Sequence, residues 1–195
     1  MSAIREATRA ELTEHGYSGV TFEGVARRAK TSKPVLYRRY PSRAHMVVDA
    51  LLALPPQPVP ATATPSLRED MLRLGDAILD RFHRIGIDTY RRLIADAGDE
   101  LLDIITAQLA ELADQTIYRA LSDARDRGEI GPANIPHRAA TTFVALLRNE
   151  LFLTRNPVDQ ETMIDMLDNV YLPLIETVSH RSDLANQSAL AINHT

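Results

Sequence analysis

The 195-residue sequence predicts an all-α chain of about nine helices, with an N-terminal three-helix helix-turn-helix head over residues 1–54 and a larger helical body over 66–180. Three observations predict it. Apolar residues recur three and four positions apart through most of the chain, the spacing that gathers them on one face of a helix. No apolar–polar alternation runs longer than a few residues, so strands have no support. Residues 55–65, Pro-Pro-Gln-Pro-Val-Pro-Ala-Thr-Ala-Thr-Pro, hold five of the eleven prolines and read as a semi-rigid linker between two helical regions.

The first helix is expected from about Ala3 to His15, with Ile4, Ala7, Thr8, Glu11 and Leu12 facing inward and Gly16 ending it. Arg5 and Arg9 lie on its opening turns, close to the reading surface. Thr21 caps a second helix whose apolar face is Phe22, Val25, Ala26 and Ala29. Ser32 caps a third, Pro34 sits in its first turn where a missing N–H costs nothing, and Pro41 ends it. On that third helix Leu36 and Tyr40, one turn apart, can close over Val25 and Ala26. Lys33, Tyr37 and Arg38 then face outward, with Val35 and Arg39 at their flanks. Ser42 caps a fourth helix, the connector, built on Met46, Val47, Ala50, Leu51 and Leu54.

In the body, Ser66 caps a helix carrying Leu67, Met71, Leu74, Ile78, Leu79 and Phe82, interrupted at Gly86. A short segment with Tyr90, Leu93 and Ile94 follows, up to Gly98. Leu101 to Arg127 reads as one long amphipathic helix, broken at most once, ended by Gly128. His137 to Thr154 is apolar on more than one side. Asp159 to His180 reads as the last helix, bent at Pro173 because proline removes a backbone donor. Residues 181–195 read as a flexible tail.

The outward side of the third helix suits the major groove. Arginine bonds guanine bidentately, lysine and tyrosine reach phosphate, and a small apolar group such as Val35 meets a thymine methyl. Arg43, beside the start of the fourth helix, is placed to hold a backbone phosphate. Charge is divided accordingly: residues 1–50 hold nine Lys/Arg against five Asp/Glu, a net of +4, within a chain of net −4. The DNA-contacting set read from the residues is Thr21, Lys30, Ser32, Lys33, Val35, Tyr37, Arg38, Arg39 and Arg43.

The run from Ile4 to Val47, above all Gly16-Tyr17, Thr21, Val25-Ala26, Ser32, Leu36-Tyr37, Arg39-Tyr40 and Ser42-Arg43, closely resembles the DNA-binding domain of the tetracycline-repressor (TetR) family of bacterial regulators. One departure is visible: that family usually carries glycine in the turn where this chain has Lys30, at a cost on the order of 1 kcal/mol for a left-handed residue with a side chain. The resemblance implies a transcriptional repressor that leaves a palindromic operator when a small-molecule effector enters the body. Candidates to line such a pocket are His83, Tyr90, Gln115, Tyr118, Phe143 and Asn149. A head of this size contacts one half-site, so pairing across a two-fold axis is expected. The two apolar C-terminal helices supply it as a four-helix bundle, through Phe143, Leu147, Leu151, Met163, Met166, Val170 and Leu174.

Other classes have little support. The absence of cysteine excludes disulfides and thiolate metal sites and fits a reducing cytoplasm, here a bacterial one. No signal peptide or membrane span is visible. Asp80 with His83, and Glu176 with His180, raise a helical metal-carboxylate enzyme, but the chain contains no Glu-x-x-His pair. Nor is there a nucleophile turn or a phosphate-binding glycine loop, so neither an enzyme nor a cofactor or metal is expected. A helical protein-binding adaptor is the remaining alternative, and it leaves the cationic helix without a role.

Overall fold

A computed structural model describes residues 2–54, 64–154 and 158–180, apart from the side chains of residues 108, 109 and 112. Among the described residues there are eleven α-helices and no strand. They are α1 (Ser2–Gly19), α2 (Phe22–Arg28), α3 (Lys33–Arg39), α4 (Arg43–Leu52), α5 (Leu67–Ile85), α6 (Ile87–Asp96), α7 (Asp99–Asp126), α8 (His137–Ala140), α9 (Thr142–Phe152), α10 (Gln160–Met166) and α11 (Leu172–Ser179). A π-helical turn, Leu167–Tyr171, joins the last two. Nine helices were expected, and the excess has two sources. The helix beginning at His137 breaks at Thr141, and the last helix widens before Pro173. Most of the proline-rich linker and the tail lie outside the described residues.

The chain divides into two compact packing units, each assembled from two stretches of sequence. One comprises Met1–Gln57 with Asp80–Glu111, the other Pro58–Leu79 with Leu112–Thr195. The reason is in the first core, where Leu93, Leu101 and Ile105 join Val20, Val25, Leu36, Met46, Val47 and Leu51. A head of about fifty residues buries too little apolar surface by itself, and α6 with the start of α7 completes its cover.

In this unit α1 runs further than expected. Gly16 has the positive φ anticipated for it (64°), but with ψ 176° it kinks the helix instead of ending it, and Tyr17 beyond it is buried. Arg5 and Arg9 face the protein: Arg5 forks onto the Asp49 carboxylate at 2.7 and 3.1 Å, and Arg9 donates to the Ala50 carbonyl at 3.0 Å. The Arg5 hydrogen bond is the main cause of a lowered Asp49 pKa. These bonds fasten α1 to α4.

The second unit is built around Met71, Ile117, Leu121, Phe143, Leu167, Tyr171 and Ile175. Arg68 grips Asp168 through two bonds of 2.7 and 2.9 Å, and the Leu67 amide donates to Glu129 at 2.7 Å. The π-helical turn accommodates Pro173, whose ring would otherwise meet the carbonyl one turn earlier. Among the described residues no helix is long and apolar enough to cross a membrane.

Candidate nucleic-acid interface

The turn between α2 and α3 is held by the backbone. Thr21 caps α2, its hydroxyl accepting from the Gly24 amide at 3.0 Å. At the other end the Thr31 amide donates to the Ala26 carbonyl (3.0 Å) and the Lys30 amide to the Arg27 carbonyl (3.3 Å). That pair of bonds requires a left-handed residue between them, and Lys30 takes that place with φ 52°. Ser32 departs from expectation. Its backbone is extended as a cap requires, but its hydroxyl makes no capping bond and stays exposed.

Seven residues cannot hold a helix by themselves, so packing fixes α3. Leu36 is fully buried and Tyr40 nearly so, both in the core that contains Val25 and Ala26. The opposite side is open, with Tyr37 61% and Val35 37% exposed. Tyr37 stacks on Phe22 of α2, ring centroids 4.4 Å apart at 22°, which holds its hydroxyl away from the surface. The sequence reading missed this pair, because Phe22 was counted as core.

The cations fall into two groups. Lys33 is paired with Glu23 at 2.7 Å, although both are solvent-exposed, so a phosphate can replace the carboxylate at small cost. Arg38 and Lys30 are exposed and have no ion pair among the described residues. Arg39 is drawn aside: its Nε donates to the Tyr40 hydroxyl (3.0 Å), which in turn donates to Asp49 (2.6 Å). Arg43 is held more firmly still. It lies over the Tyr17 ring at 4.5 Å, bonds Asp96 at 3.0 Å, and reaches the Ser18 carbonyl at 3.4 Å. Burial, then donation to Asp96, pushes the Tyr17 hydroxyl up to about 12, so it stays a donor at neutral pH. Nothing local signalled Asp96, which lies 53 residues from Arg43.

Lys30 yields a direct test. Lys30→Gly is expected to raise stability by up to about 1 kcal/mol, since glycine adopts positive φ without a Cβ conflict. If Lys30 touches phosphate, the same change lowers the slope of log affinity against log salt by about one. Chemical unfolding and fluorescence anisotropy measure the two effects; unchanged affinity and slope would remove the phosphate contact.

Of the six pocket candidates, His83 and Tyr90 belong to the first unit and Gln115, Tyr118, Phe143 and Asn149 to the second. His83, Gln115 and Asn149 are exposed; Tyr118 is a surface group bonded to the His137 ring at 2.9 Å; Phe143 is buried against Tyr171. Tyr90 lines a cleft in the first unit beside α4. The interface candidates are also redistributed. Phe143, Leu147, Leu151, Met163 and Met166 are buried in the chain's own core, whereas Val170 is exposed and Leu174 half-buried. The amphipathic stripe passes from Leu167 to Tyr171, Ile175 and Val178, so the π-helical turn leaves Val170 exposed, while Leu174 packs at the edge of the core.

A short helix anchored by one apolar face, with cations and a braced tyrosine on the other, defines a helix-turn-helix regulator that binds DNA. Similarity to known proteins agrees. Residues 4–50 match the family described as "Bacterial regulatory proteins, tetR family", and residues 61–170 match "Tetracyclin repressor-like, C-terminal domain". Uncharacterized HTH-type transcriptional regulators of Mycobacterium bovis and Mycobacterium tuberculosis are 32% identical over 170 residues, spanning 83% of this chain and 81% of theirs. The HTH-type transcriptional regulator AqdR of Rhodococcus erythropolis is 30% identical over 167 residues, spanning 83% and 77%. A solved Clostridium perfringens chain, 16% identical, aligns with a TM-score of 0.47 over 91% of this chain and 95% of that one. The chain belongs to the tetR family of bacterial regulatory proteins.

Proposed function

We propose that this transcriptional regulator is a homodimeric repressor that releases a palindromic operator when a small molecule binds it. The observation that carries the DNA-reading part is the two-sided α3: Leu36 and Tyr40 anchored, Val35, Tyr37 and Arg38 presented. One such helix contacts one half-site, and a pair about one DNA turn apart contacts a palindrome. The dimer reading rests on apolar side chains that the chain leaves uncovered near its C-terminal end, Leu153 at 76% exposure and Val170, with Leu174 beside it. Release by a small molecule is supported by the family match over residues 61–170. A coupling of about 1–3 kcal/mol between ligand and operator is typical of such control.

The test uses fluorescence anisotropy with fragments selected from bacterial genomic DNA. Log affinity is expected to fall linearly with log salt, and Arg38→Ala to weaken binding by about tenfold or more while reducing the slope by about one. Affinity that ignores salt, or an Arg38→Ala protein that binds as the parent does, sinks the proposed surface. Light scattering at micromolar concentration tests the pairing, and a stable monomer would refute it.

A further inference from the structure

An apolar-surfaced cleft within the first unit lies against two neighbouring buried donors, the Tyr90 hydroxyl and the Arg81 Nε, neither of which finds an acceptor of good geometry. Its walls are aliphatic side chains of α4 (Val48 and Leu51), α6 (Leu93) and α7 (Ile105), together with Arg81 of α5 and Tyr90 of α6. Tyr90 is 4% exposed, packed edge-on against Phe82 at 4.6 Å, and its hydroxyl has no hydrogen-bond partner. The Nε of Arg81 is buried and unpartnered as well. The rest of that guanidinium spends one bond, 3.3 Å, on the Leu51 carbonyl near the end of α4, and Arg81 forms no ion pair among the described residues. No carboxylate lines the cleft.

Buried donors without an acceptor are costly, and a cation facing apolar walls without a counter-charge adds to that cost. A site of this composition lacks an acceptor carrying negative charge. We propose that the cleft takes a small monocarboxylate with an apolar body, its carboxylate bonded by Arg81 and Tyr90 and its body lying against the α4, α6 and α7 side chains. One carboxylate can accept from both donors, and bonds between a guanidinium and a carboxylate are the strong, charge-assisted kind. Burial raises the Tyr90 pKa against the opposing pull of the neighbouring Arg81 guanidinium. As it stands the cleft has room for little more than a water molecule. An acid therefore enters by pushing its walls apart, and one wall is α4, which begins at Ser42 and Arg43 beside the reading surface. The proposal rests on the ligand-responsive reading above and gives that ligand a chemical class.

The experiment titrates the full chain with straight-chain acids from acetate to octanoate and with benzoate, against the matching alcohols, by calorimetry and thermal shift. At least one acid is expected to bind about tenfold or more tightly than its alcohol, and Tyr90→Phe and Arg81→Gln each to weaken that acid by about tenfold. Tyr90→Phe removes one oxygen from a packed ring, so it keeps the test informative if Arg81→Gln folds poorly. Failure of every acid to bind, equal affinity for acid and alcohol, or unchanged acid binding in Tyr90→Phe overturns the site. Operator release is read in parallel. Acid binding that depends on Tyr90 but leaves operator affinity unchanged upholds the site and refutes ligand-driven release. Release by another class of compound, with no acid bound, does the reverse.

Discussion

Leu36→Ala is expected to destabilise the protein by about 2–5 kcal/mol and to abolish specific DNA binding. Leu36 is fully buried, and α3 has only seven residues, fewer than an isolated helix needs. The side chain is therefore the main fastener of the reading helix to Val25, Ala26 and the α4 residues Met46 and Val47. Its removal leaves a cavity under the one element whose orientation the function depends on. Circular dichroism during urea unfolding gives the stability change, and anisotropy gives the DNA affinity. Val35→Ala on the opposite side is the control: it is expected to leave stability within about 0.5 kcal/mol, because a surface change of this kind removes little packing. A Leu36→Ala protein that unfolds at the parent's urea concentration would contradict the packing described for α3.

Gly131→Ala is expected to cost about 1–3 kcal/mol or more, through a collision that no side-chain rotation relieves. A Cβ at this position would lie 2.3 Å from the Ser179 carbonyl oxygen and 2.7 Å from its carbon, both backbone atoms. The segment between α7 and α8 is docked there by hydrogen bonds, the Gly131 amide to the Ser179 hydroxyl (3.0 Å, buried) and the Ala133 amide to the Ser179 carbonyl (2.9 Å). Accommodating a methyl group means parting them. Ser179→Ala is the milder companion, expected to cost about 1–3 kcal/mol by leaving the Gly131 amide buried without an acceptor. Differential scanning calorimetry separates the two by melting temperature. Equal melting of Gly131→Ala and the parent would mean that the docking is looser than these distances state.

Much of this architecture was legible because helices announce themselves locally. The stripes of α5, α6 and α7, the caps at Thr21, Ser42 and Ser66, the break at Gly86 and the positive φ of Gly16 and Gly128 all follow from residues a few positions apart. The reading face of α3 was legible for the same reason, since Leu36 and Tyr40 fix which side is left over. Long-range partners were not. Asp96 for Arg43 and Asp49 for Arg5 are chosen by the way helices pack, and no spacing announces them. Interface and pocket residues are harder to read for a different reason. Apolarity names a side chain that will be covered, not what covers it, and the chain's own core took Phe143, Leu147 and Met163 first. The π-helical turn then moved the stripe along by one residue, which periodicity at 3.6 cannot foresee.

The interleaving of the first unit bears on how such regulators can be recombined. A chimera that swaps the leading 54 residues onto another body would strip Leu93, Leu101 and Ile105 from beneath the transplanted segment and leave Arg43 without Asp96. The seam that respects the packing is discontinuous, with residues 80–111 travelling alongside the reading motif. In this chain the reading motif's packing unit is a spatial one, assembled from two stretches of sequence.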